Sequence, residues 1–298
     1  MKPVIKYRGG KRSEIPLFEK YIPVEFDTYL EPFFGGGAVF FHLEPEKAIV
    51  NDINKNLYQF YYDLKNNYLQ LKEELKVLQN IYEKNQEEYE LKKSMFPEEK
   101  IPNKNEELFY EIRQEYNYPS GKWLPGTVYF FINKTAYSGM IRFNRKGEFN
   151  VPFGRYKNLN TDLVTEKHHK LFQNATILNG DYEKVFEKAT ERDFMFLDPP
   201  YDCVFSDYGN EVFTGDFDEK EHERLAENFK NLKCKALMVI SKTNLTTRLY
   251  KGYIVEEYDK NYSVNIRNRF KNDAVHYIIQ NYEVPVPKKE KVAQLLLF

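Results

Sequence analysis

Short apolar runs alternate with helical stretches along most of the chain, and this alternation limits the possible folds more than any other feature. Strand-type runs occur at Thr28–Phe33, Ala48–Asn51, Ala175–Leu178, Phe194–Leu197, Ala236–Ile240 and Ala274–Gln280. Helical patterns cover Ala38–Leu43, a stretch from Asp181 onward, and Glu219–Asn231. Parallel strands need crossover connections, which helices usually supply. The sequence therefore predicts an α/β fold with a doubly wound, mostly parallel Rossmann-like sheet, closed by the last of these strands.

A long helical region interrupts this alternation. Its predicted parts are a helix from Asn54 to about Glu90, breaks at Pro97 and Pro102, helices at Asn105–Tyr116 and Gly126–Thr135, and a β-hairpin at Ile141–Val151 around a Lys-Gly turn. We therefore predict a sheet domain (1–60 and 158–284), an inserted, mainly helical domain carrying the hairpin (61–157), and a flexible tail (285–298) that begins with a polar, proline-containing linker.

Charge is unevenly distributed, although the 44 basic and 45 acidic residues leave a net charge of only −1. Residues 2–12, 133–157 and 260–271 are basic, whereas 181–228 holds fifteen carboxylates against five Lys or Arg. Separated fields of this kind suit a polyanionic partner, but for any one cluster a solvated surface loop is an equally good interpretation.

Other counts exclude whole classes of protein. Two cysteines cannot build a disulfide framework or a four-cysteine zinc site, and the five histidines form no ligand spacing with them, so we predict no metal. Neither an apolar run of eighteen residues nor a signal segment is present, which predicts a cytoplasmic protein.

A glycine turn follows the first predicted strand. In Glu31–Gly37, three consecutive glycines let a nucleoside-bearing ligand approach the backbone closely. A dinucleotide fingerprint would place another glycine where Phe40 stands, which argues against hydride chemistry. Asp52 ends the next strand, where its carboxylate could accept hydrogen bonds from ribose hydroxyls. Taken alone, Asp52 is more often a cap for the helix that starts at Asn54.

The strongest chemical signal is the tetrapeptide Asp198–Tyr201, directly after an apolar strand. Pro200 favours an extended Pro199, so the Pro199 carbonyl and the Asp198 carboxylate can converge as two acceptors. Two acceptors could hold both hydrogens of an aromatic amino group, direct its lone pair at a methyl donor, and stabilise the positive charge that develops. Tyr201 would stack on the base. The competing interpretation is a simple turn capped by Asp198.

These segments resemble the Dam-type DNA adenine-N6 methyltransferases of class D12, alpha group, in the family's order and over nearly the whole chain. The matching segments are Ile5–Arg12, Glu31–Gly37, Asn51–Asn54, Glu148–Tyr156 and Asp198–Tyr201. The resemblance implies a methyltransferase sheet, S-adenosylmethionine as methyl donor and a set of cofactor residues: Tyr7, Lys11, Phe33, Gly35, Gly37, Asp52, Asp181 and Asp198. Relatives often carry Trp at the position of Tyr7, and either ring can stack.

The same resemblance implies how double-stranded DNA would be read. Lys6 and Arg142 would contact guanines, Met140 and Pro152 a thymine methyl, and Tyr137 would wedge into the duplex. Ser138 and Tyr156 would complete the surface, although relatives often carry Asn at the Ser138 position. The set resembles readers of GATC, and its chemistry matches the major-groove edges of guanine and thymine. Without the resemblance, the favoured interpretation is that Met140 and Pro152 belong to the hairpin core and that Arg142 is a surface cation.

The sequence thus predicts a nucleoid-associated enzyme that flips adenine out of duplex DNA and methylates its amino group. An amino-group methyltransferase acting on RNA or protein, or a catalytically silent DNA-binding relative, are the alternatives. The sequence leaves open whether the protein acts alone or in restriction-modification. Gln294–Phe298 is similar to the short motif by which many bacterial proteins dock on the replication sliding clamp; a last strand or a disordered end is the other interpretation.

Overall fold

A seven-stranded sheet organises the protein. The computed structural model describes residues 1–7, 9–140, 142–201, 217–260 and 274–283 of the 298. The strands are β1 (Tyr29–Glu31), β2 (Ala48–Asp52), β3 (Ala175–Asn179), β4 (Phe194–Leu197), β5 (Lys235–Ser241), β6 (Ile254–Lys260) and β7 (Ala274–Gln280). They lie in the order β3-β2-β1-β4-β5-β7-β6. The first five are parallel, and β7 is antiparallel to both β5 and β6. The predicted mostly parallel, doubly wound sheet is confirmed.

Ten α-helices accompany the sheet in the described ranges. They are α1 (Ile15–Phe18), α2 (Ala38–Leu43), α3 (Lys55–Asn66), α4 (Tyr68–Met95), α5 (Lys104–Asn117), α6 (Pro125–Thr135), α7 (Glu166–Gln173), α8 (Glu183–Phe186), α9 (Glu219–Lys230) and α10 (Asn244–Leu249). Within these same ranges, no helix is both long and apolar enough to cross a membrane.

The strand order determines where a ligand can bind. The chain runs from β1 outward through β2 to β3, then returns to the other side of β1 and continues through β4 to β5. The direction of winding therefore reverses between β1 and β4, and in open α/β sheets ligands bind at such a reversal, beyond the carboxyl ends of the strands. The glycine turn after β1, Asp52 at the end of β2 and Asp198 after β4 all lie at that edge.

Two expectations about the sheet and its helices were wrong. Ala274–Gln280 does not close the sheet, because β6 pairs with its outer side and forms the edge. β6 escaped prediction because its alternation of half-buried and exposed residues includes Glu256, Glu257 and Asp259, which weaken an apolar pattern. The stretch from Asn54 to Glu90 is two helices rather than one, since the backbone leaves helical geometry at Asn67.

The insert shares its apolar core with the sheet. One cluster of buried side chains contains Tyr29 and Val50 of the sheet together with Leu71 of α4, Phe131 of α6 and Phe153 beyond the hairpin. Residues 60 and 61, between which the sequence divides the two domains, both lie within α3. The division into two domains therefore stays a prediction. Helices α4–α6 lie within the predicted insert, residues 61–157.

The hairpin forms where the alternation predicts it. Phe143 and Phe149 form an antiparallel bridge, and the Gly147 N–H donates a hydrogen bond to the backbone carbonyl of Asn144. Gly147 has a φ of +78°, the left-handed conformation that favours glycine in tight turns. Several predicted features fall outside the described residues: Arg8, Ile141, most of the basic stretch 260–271, the linker Pro285–Lys291 and the motif Gln294–Phe298.

Candidate active site

The glycine turn is tightly folded and lies beneath an aromatic ring. Gly35 and Gly37 have φ values of +48° and +66°, so side chains at these positions would strain the backbone. A Cβ added to Gly35 would lie 2.6 Å from Cε1 of Tyr7. The Tyr7 ring, which is 40% exposed, therefore packs directly on the turn. This contact brings the amino-terminal segment to the ligand-binding edge of the sheet.

Asp52 holds the turn from the neighbouring strand. Its Oδ2 accepts a hydrogen bond from the Gly35 N–H at 2.7 Å, and its Oδ1 accepts one from the Asn54 N–H at 2.9 Å. Burial raises the pKa of Asp52 to about 6, against the lowering effect of these two hydrogen bonds. Asn54 itself caps α3, since its side chain accepts from the N–H groups of Asn56 and Leu57. The helix-cap interpretation of Asp52 is therefore wrong.

Asn51 ties three strand ends together. Its side-chain nitrogen donates to the Pro32 carbonyl at 3.0 Å and to the Gly180 carbonyl at 2.9 Å. Its Oδ1 is buried and has no hydrogen-bond partner in the described structure. A buried acceptor of this kind costs free energy unless something donates to it. Asn51 was not among the predicted site residues, although it directly precedes Asp52.

Lys11 forms a buried ion pair with Asp198. Its Nζ lies 2.7 Å from Oδ1 and 2.9 Å from Oδ2, and it also donates to the Gly9 carbonyl at 3.0 Å. Lys11 is only 3% exposed. Burial raises the pKa of Asp198, and the charge of Lys11 opposes that rise. The lysine thus favours the ionised carboxylate at the end of β4.

Tyr201 packs closely around this ion pair. Its hydroxyl donates to Asp198 Oδ1 at 3.3 Å, and the Lys11 Nζ lies 4.9 Å from the centre of its ring. The ring also contacts His276 of β7 at 5.1 Å between centroids, in a T-shaped arrangement. Pro199 is buried and Pro200 half-buried. The tetrapeptide is therefore anchored on both sides before the chain enters residues 202–216, which lie outside the described ranges.

A second buried carboxylate, Glu14, lies behind Lys11. It accepts hydrogen bonds from Tyr258 Oη at 2.6 Å and His276 Nδ1 at 2.8 Å, and it forms an ion pair with Lys260. Burial alone would raise its pKa, but the His276 hydrogen bond, the charge of Lys11 and the remaining donors lower it to about 2. Sequence reasoning missed Glu14. Its position three residues after Lys11, just beyond an acid-free basic segment, was the available signal.

Glu31, at the carboxyl end of β1, is a further buried carboxyl group. The Tyr29 hydroxyl donates to its Oε2 at 2.9 Å. Burial raises the pKa of Glu31 well above its usual value, and the negative charges of Asp198 and Asp52 add to the rise. The site therefore gathers more carboxyl groups than cations. Glu31 belongs to the predicted glycine-turn segment, but it was not among the predicted site residues.

The remaining predicted cofactor residues border the end of β3. The ring of Phe33, half-buried, lies 5.2 Å from that of Tyr182. Asp181 accepts from the Glu183 N–H at 2.9 Å at the start of α8, and its Oδ2 lies 2.8 Å from Arg224 of α9. Phe33 therefore packs on Tyr182, the residue after Asp181, so both predicted cofactor residues lie at the same end of the sheet. Across the described ranges, no group of three His, Cys, Asp or Glu residues could hold a metal ion.

The predicted DNA-contacting residues gather where α6 ends and the hairpin begins. Lys6 is fixed there by Asn133, which accepts from the Lys6 N–H and donates to its carbonyl, both at 2.8 Å. The Lys6 Nζ lies 4.0 Å from the centre of the Tyr156 ring. Burial lowers the pKa of Lys6, and burial together with the charge of Lys6 lowers that of Lys134 to about 8.

The other members of that set follow α6. Tyr137 is 55% exposed, and its N–H donates to the Pro152 carbonyl at 2.9 Å. Ser138 has a φ of +55°, in the left-handed region. Met140 is half-buried against the core, as the competing interpretation expected, whereas Pro152 is exposed. Arg142 is exposed and donates from Nε to Asn150 Oδ1 at 2.9 Å, across the hairpin.

The family model and three relatives that match this chain all carry the name of a methyltransferase or methylase. The model of the D12 class N6 adenine-specific DNA methyltransferases matches residues 7–266. The Type II methyltransferase M.CviBI of Paramecium bursaria Chlorella virus NC1A is 35% identical over 295 residues, covering 95% of this chain and 100% of that protein. The Type II methyltransferase M.MjaIII of Methanocaldococcus jannaschii is 32% identical over 302 residues, covering 95% and 99%. A DNA adenine methylase of Vibrio cholerae is 29% identical over 260 residues, covering 83% and 84%.

Proposed function

This chain belongs to the D12 class of N6 adenine-specific DNA methyltransferases, and we propose that it flips adenine out of duplex DNA and methylates it from S-adenosylmethionine, in the sequence GATC. The observation that carries the proposal is the buried Lys11–Asp198 pair beside the glycine turn. It places the Asp198 carboxylate beyond the carboxyl ends of β1 and β4, where the direction of winding reverses. The names of the relatives, which include both Type II methyltransferases and DNA adenine methylases, support the same reaction.

The residues present fit S-adenosylmethionine. The unsatisfied Asn51 Oδ1 lies between strand ends where an adenosine would bind, and Asp52 offers a carboxylate to ribose hydroxyls. The site also contains more carboxyl groups than cationic side chains, which suits a positively charged cofactor. The cofactor, when bound, supplies a methyl group on positively charged sulfur. The residues that would hold it are Tyr7, Lys11, Phe33, Gly35, Gly37, Asp52, Asp181 and Asp198.

Asp198 and Pro199 would hold the target amino group. An ionised carboxylate has about four acceptor positions, so Asp198 can accept from an amino N–H while it remains paired with Lys11. The Pro199 carbonyl would accept the second hydrogen, and both oxygens would stabilise positive charge on the nitrogen as it is methylated. Flipping the base costs a few kcal/mol, and stacking on Tyr201 would return about 1–3 kcal/mol.

The surface around the hairpin would read the duplex. Lys6 and Arg142 would contact guanines, and Met140 and Pro152 a thymine methyl. The exposed Tyr137 ring would enter the space that the flipped base leaves, beside Ser138. Tyr156 supports this assignment for Lys6, because its ring orients the lysine that would touch the base.

Sequencing of N6-methyladenine tests the proposal. Unmethylated plasmid is incubated with the purified chain and S-adenosylmethionine, and in parallel with Asp198→Ala. We expect methylation confined to GATC for the unchanged protein and none for Asp198→Ala, whose affinity for duplex should stay within about tenfold because phosphate contacts dominate it.

The other outcomes of this experiment are equally informative. Adenine methylation in a different motif would disprove only the proposed recognition sequence, GATC, and not the reaction. In parallel reactions with radiolabelled S-adenosylmethionine and duplex DNA, RNA or protein, label found only on RNA or protein would support a different amino-group substrate. Duplex binding without any methyl transfer by the unchanged protein would indicate a silent relative. Full turnover by Asp198→Ala would disprove the acceptor role.

We also propose that Gln294–Phe298 docks on a bacterial replication sliding clamp. The proposal rests on the similarity of this short motif alone. A pull-down on immobilised clamp should retain the intact chain and lose a version without residues 294–298; equal retention would exclude the docking role.

A further inference from the structure

We infer that Glu14 is a positioning residue for methyl transfer, which acts through His276 and Lys11 on Tyr201 and Asp198. The inference rests on the proposed function, since it assigns a task to a residue behind that same site. Glu14 is 2% exposed and immediately precedes α1. Its partners come from strands β6 and β7, near the other end of the sequence.

The contacts of Glu14 fix the orientation of a ring that supports Tyr201. With a pKa of about 2, Glu14 is ionised and can only accept hydrogen bonds. His276 must therefore donate from Nδ1, which sets the plane of its buried ring. That ring meets Tyr201 at 5.1 Å with an interplanar angle of 69°. Glu14 thus determines, through one intermediate side chain, how the tetrapeptide tyrosine is held.

The charge of Glu14 also balances the cations around Asp198. Lys11 pairs directly with Asp198 and experiences the field of Glu14, while Lys260 pairs with Glu14 from β6. The Glu14 and Lys11 side chains are each 3% exposed, so an unpaired charge on either of them would be costly. Without the Glu14 charge, Lys260 would lose its partner, and the charge of Lys11 would be balanced by Asp198 alone. Asp198 would then be a weaker acceptor for an amino group.

This arrangement separates positioning from binding. The described residues proposed to contact DNA lie near α6 and the hairpin at Phe143–Phe149, whereas the hydrogen bonds and the ion pair of Glu14 go to Tyr258, His276 and Lys260. A change at Glu14 should therefore alter the rate of transfer more than the affinity for duplex. A residue that merely stabilised the fold would lower the melting temperature and the active fraction, but not the rate per active site.

Single-turnover methylation with Glu14→Gln tests the inference. The matched control is Glu19→Gln, because Glu19 pairs with His42 at 2.8 Å in the same kind of contact, but on the exposed surface. The reactions use saturating duplex and cofactor, and active sites are titrated. We expect Glu14→Gln to lower the rate per active site about 30-fold, because charged hydrogen bonds are lost. The KM values for both substrates should stay within about threefold. Glu19→Gln should match the unchanged protein.

A second variant keeps the test decisive if Glu14→Gln folds poorly. His276→Asn retains a donor for Glu14 but removes the ring that meets Tyr201, and we expect about a tenfold lower rate per active site. Unchanged rates in both variants, or in His276→Asn alone if Glu14→Gln does not fold, would overturn the inference. The proposed function would fail differently, since the unchanged protein would then not methylate adenine.

Discussion

At the scale of single residues, Lys11 lies next to two carboxylates, the buried Glu14 and the partly buried Asp198. It lies within hydrogen-bonding distance of Asp198 and lowers the pKa of both groups. Burial works in the opposite direction at Asp198 and raises its pKa. Because the proposed reaction needs an ionised acceptor, the lysine controls the pH range in which the site can work.

Replacing Lys11 with Met should expose this control. Loss of the cation lets burial raise the Asp198 pKa further, so the carboxyl is more often protonated at neutral pH. We expect the single-turnover rate at pH 7 to fall about a hundredfold. The acid limb of the pH–rate profile should move to higher pH, with partial recovery in alkaline buffer.

A matched control for this change is Lys20→Met, which removes a lysine paired with Glu256 at 2.6 Å on the exposed surface. Its profile should coincide with that of the unchanged protein. An acid limb that stays in place in Lys11→Met would show that Asp198 does not titrate in the reaction.

At the scale of elements, helix α5 holds the hairpin that would read the bases. The Asn117 side chain, at the end of α5, accepts from the Phe149 N–H at 2.7 Å and donates to the Phe149 carbonyl at 3.1 Å. This pairing imitates a neighbouring strand. Tyr118 adds a hydrogen bond to Glu148. The hairpin is thereby held in one register relative to the helix that supports it.

Asn117→Ala should loosen that register. We expect the ratio of methylation rates on cognate and singly altered sites to fall about tenfold, because one pair of hydrogen bonds holds Arg142 and Pro152 in place. Affinity for unrelated duplex should stay within about twofold, since phosphate contacts supply it. Competition between cognate and altered duplexes in one reaction measures the ratio.

Two comparisons make this measurement specific. Asn66→Ala removes an amide that donates to the Tyr62 carbonyl at the end of α3, and it should leave discrimination unchanged. Arg142→Ala should reproduce the loss that Asn117→Ala causes. Intact discrimination in Asn117→Ala would mean that the hairpin keeps its register without α5.

At the scale of the whole molecule, a net charge of −1 conceals a separation of basic and acidic regions. Lys6, Lys134 and Arg142 lie near the end of α6 and the hairpin, whereas α8 and α9 carry the acidic stretch, where Arg224 forms ion pairs with Asp181 and Glu221. Electrostatic attraction to a polyanion depends on the local electric field at the binding surface rather than on the net charge of the protein.

We therefore expect duplex binding to depend strongly on salt despite the near-zero net charge. With about four phosphates neutralised, affinity should fall about a hundredfold between 50 and 200 mM salt. Changing Arg145 and Lys146, at the hairpin turn, to Ala should reduce the slope of log affinity against log salt by about two. Fluorescence anisotropy with a labelled duplex gives the slope.

The corresponding control removes two cations from the acidic stretch, with Lys188 and Arg192 changed to Ala; Arg192 pairs with Asp27 at 2.6 Å. Its salt slope should equal that of the unchanged protein. Affinity that is insensitive to salt would contradict a phosphate-binding face.

The parts of the site whose signals are local could be predicted from the amino-acid sequence alone. Asp198–Tyr201 and the glycine turn could be identified because an apolar strand precedes each of them, and strand, turn and polar residue follow one another within about ten positions. The parallel sheet followed from the same periodicity. Local conformation and burial are what a pattern of neighbouring side chains encodes.

The contacts between groups that are far apart in the sequence depend on the folded sheet as a whole. Lys11 and Asp198 are 187 positions apart, and Glu14 and His276 are 262 apart. Their meeting depends on the strand order, on the glycine turn covered by Tyr7, and on the antiparallel β6–β7 pair, whose outer strand carries too many charges to be recognised from its pattern. Contacts between separate elements are set by packing of the whole sheet, and no local pattern contains that information.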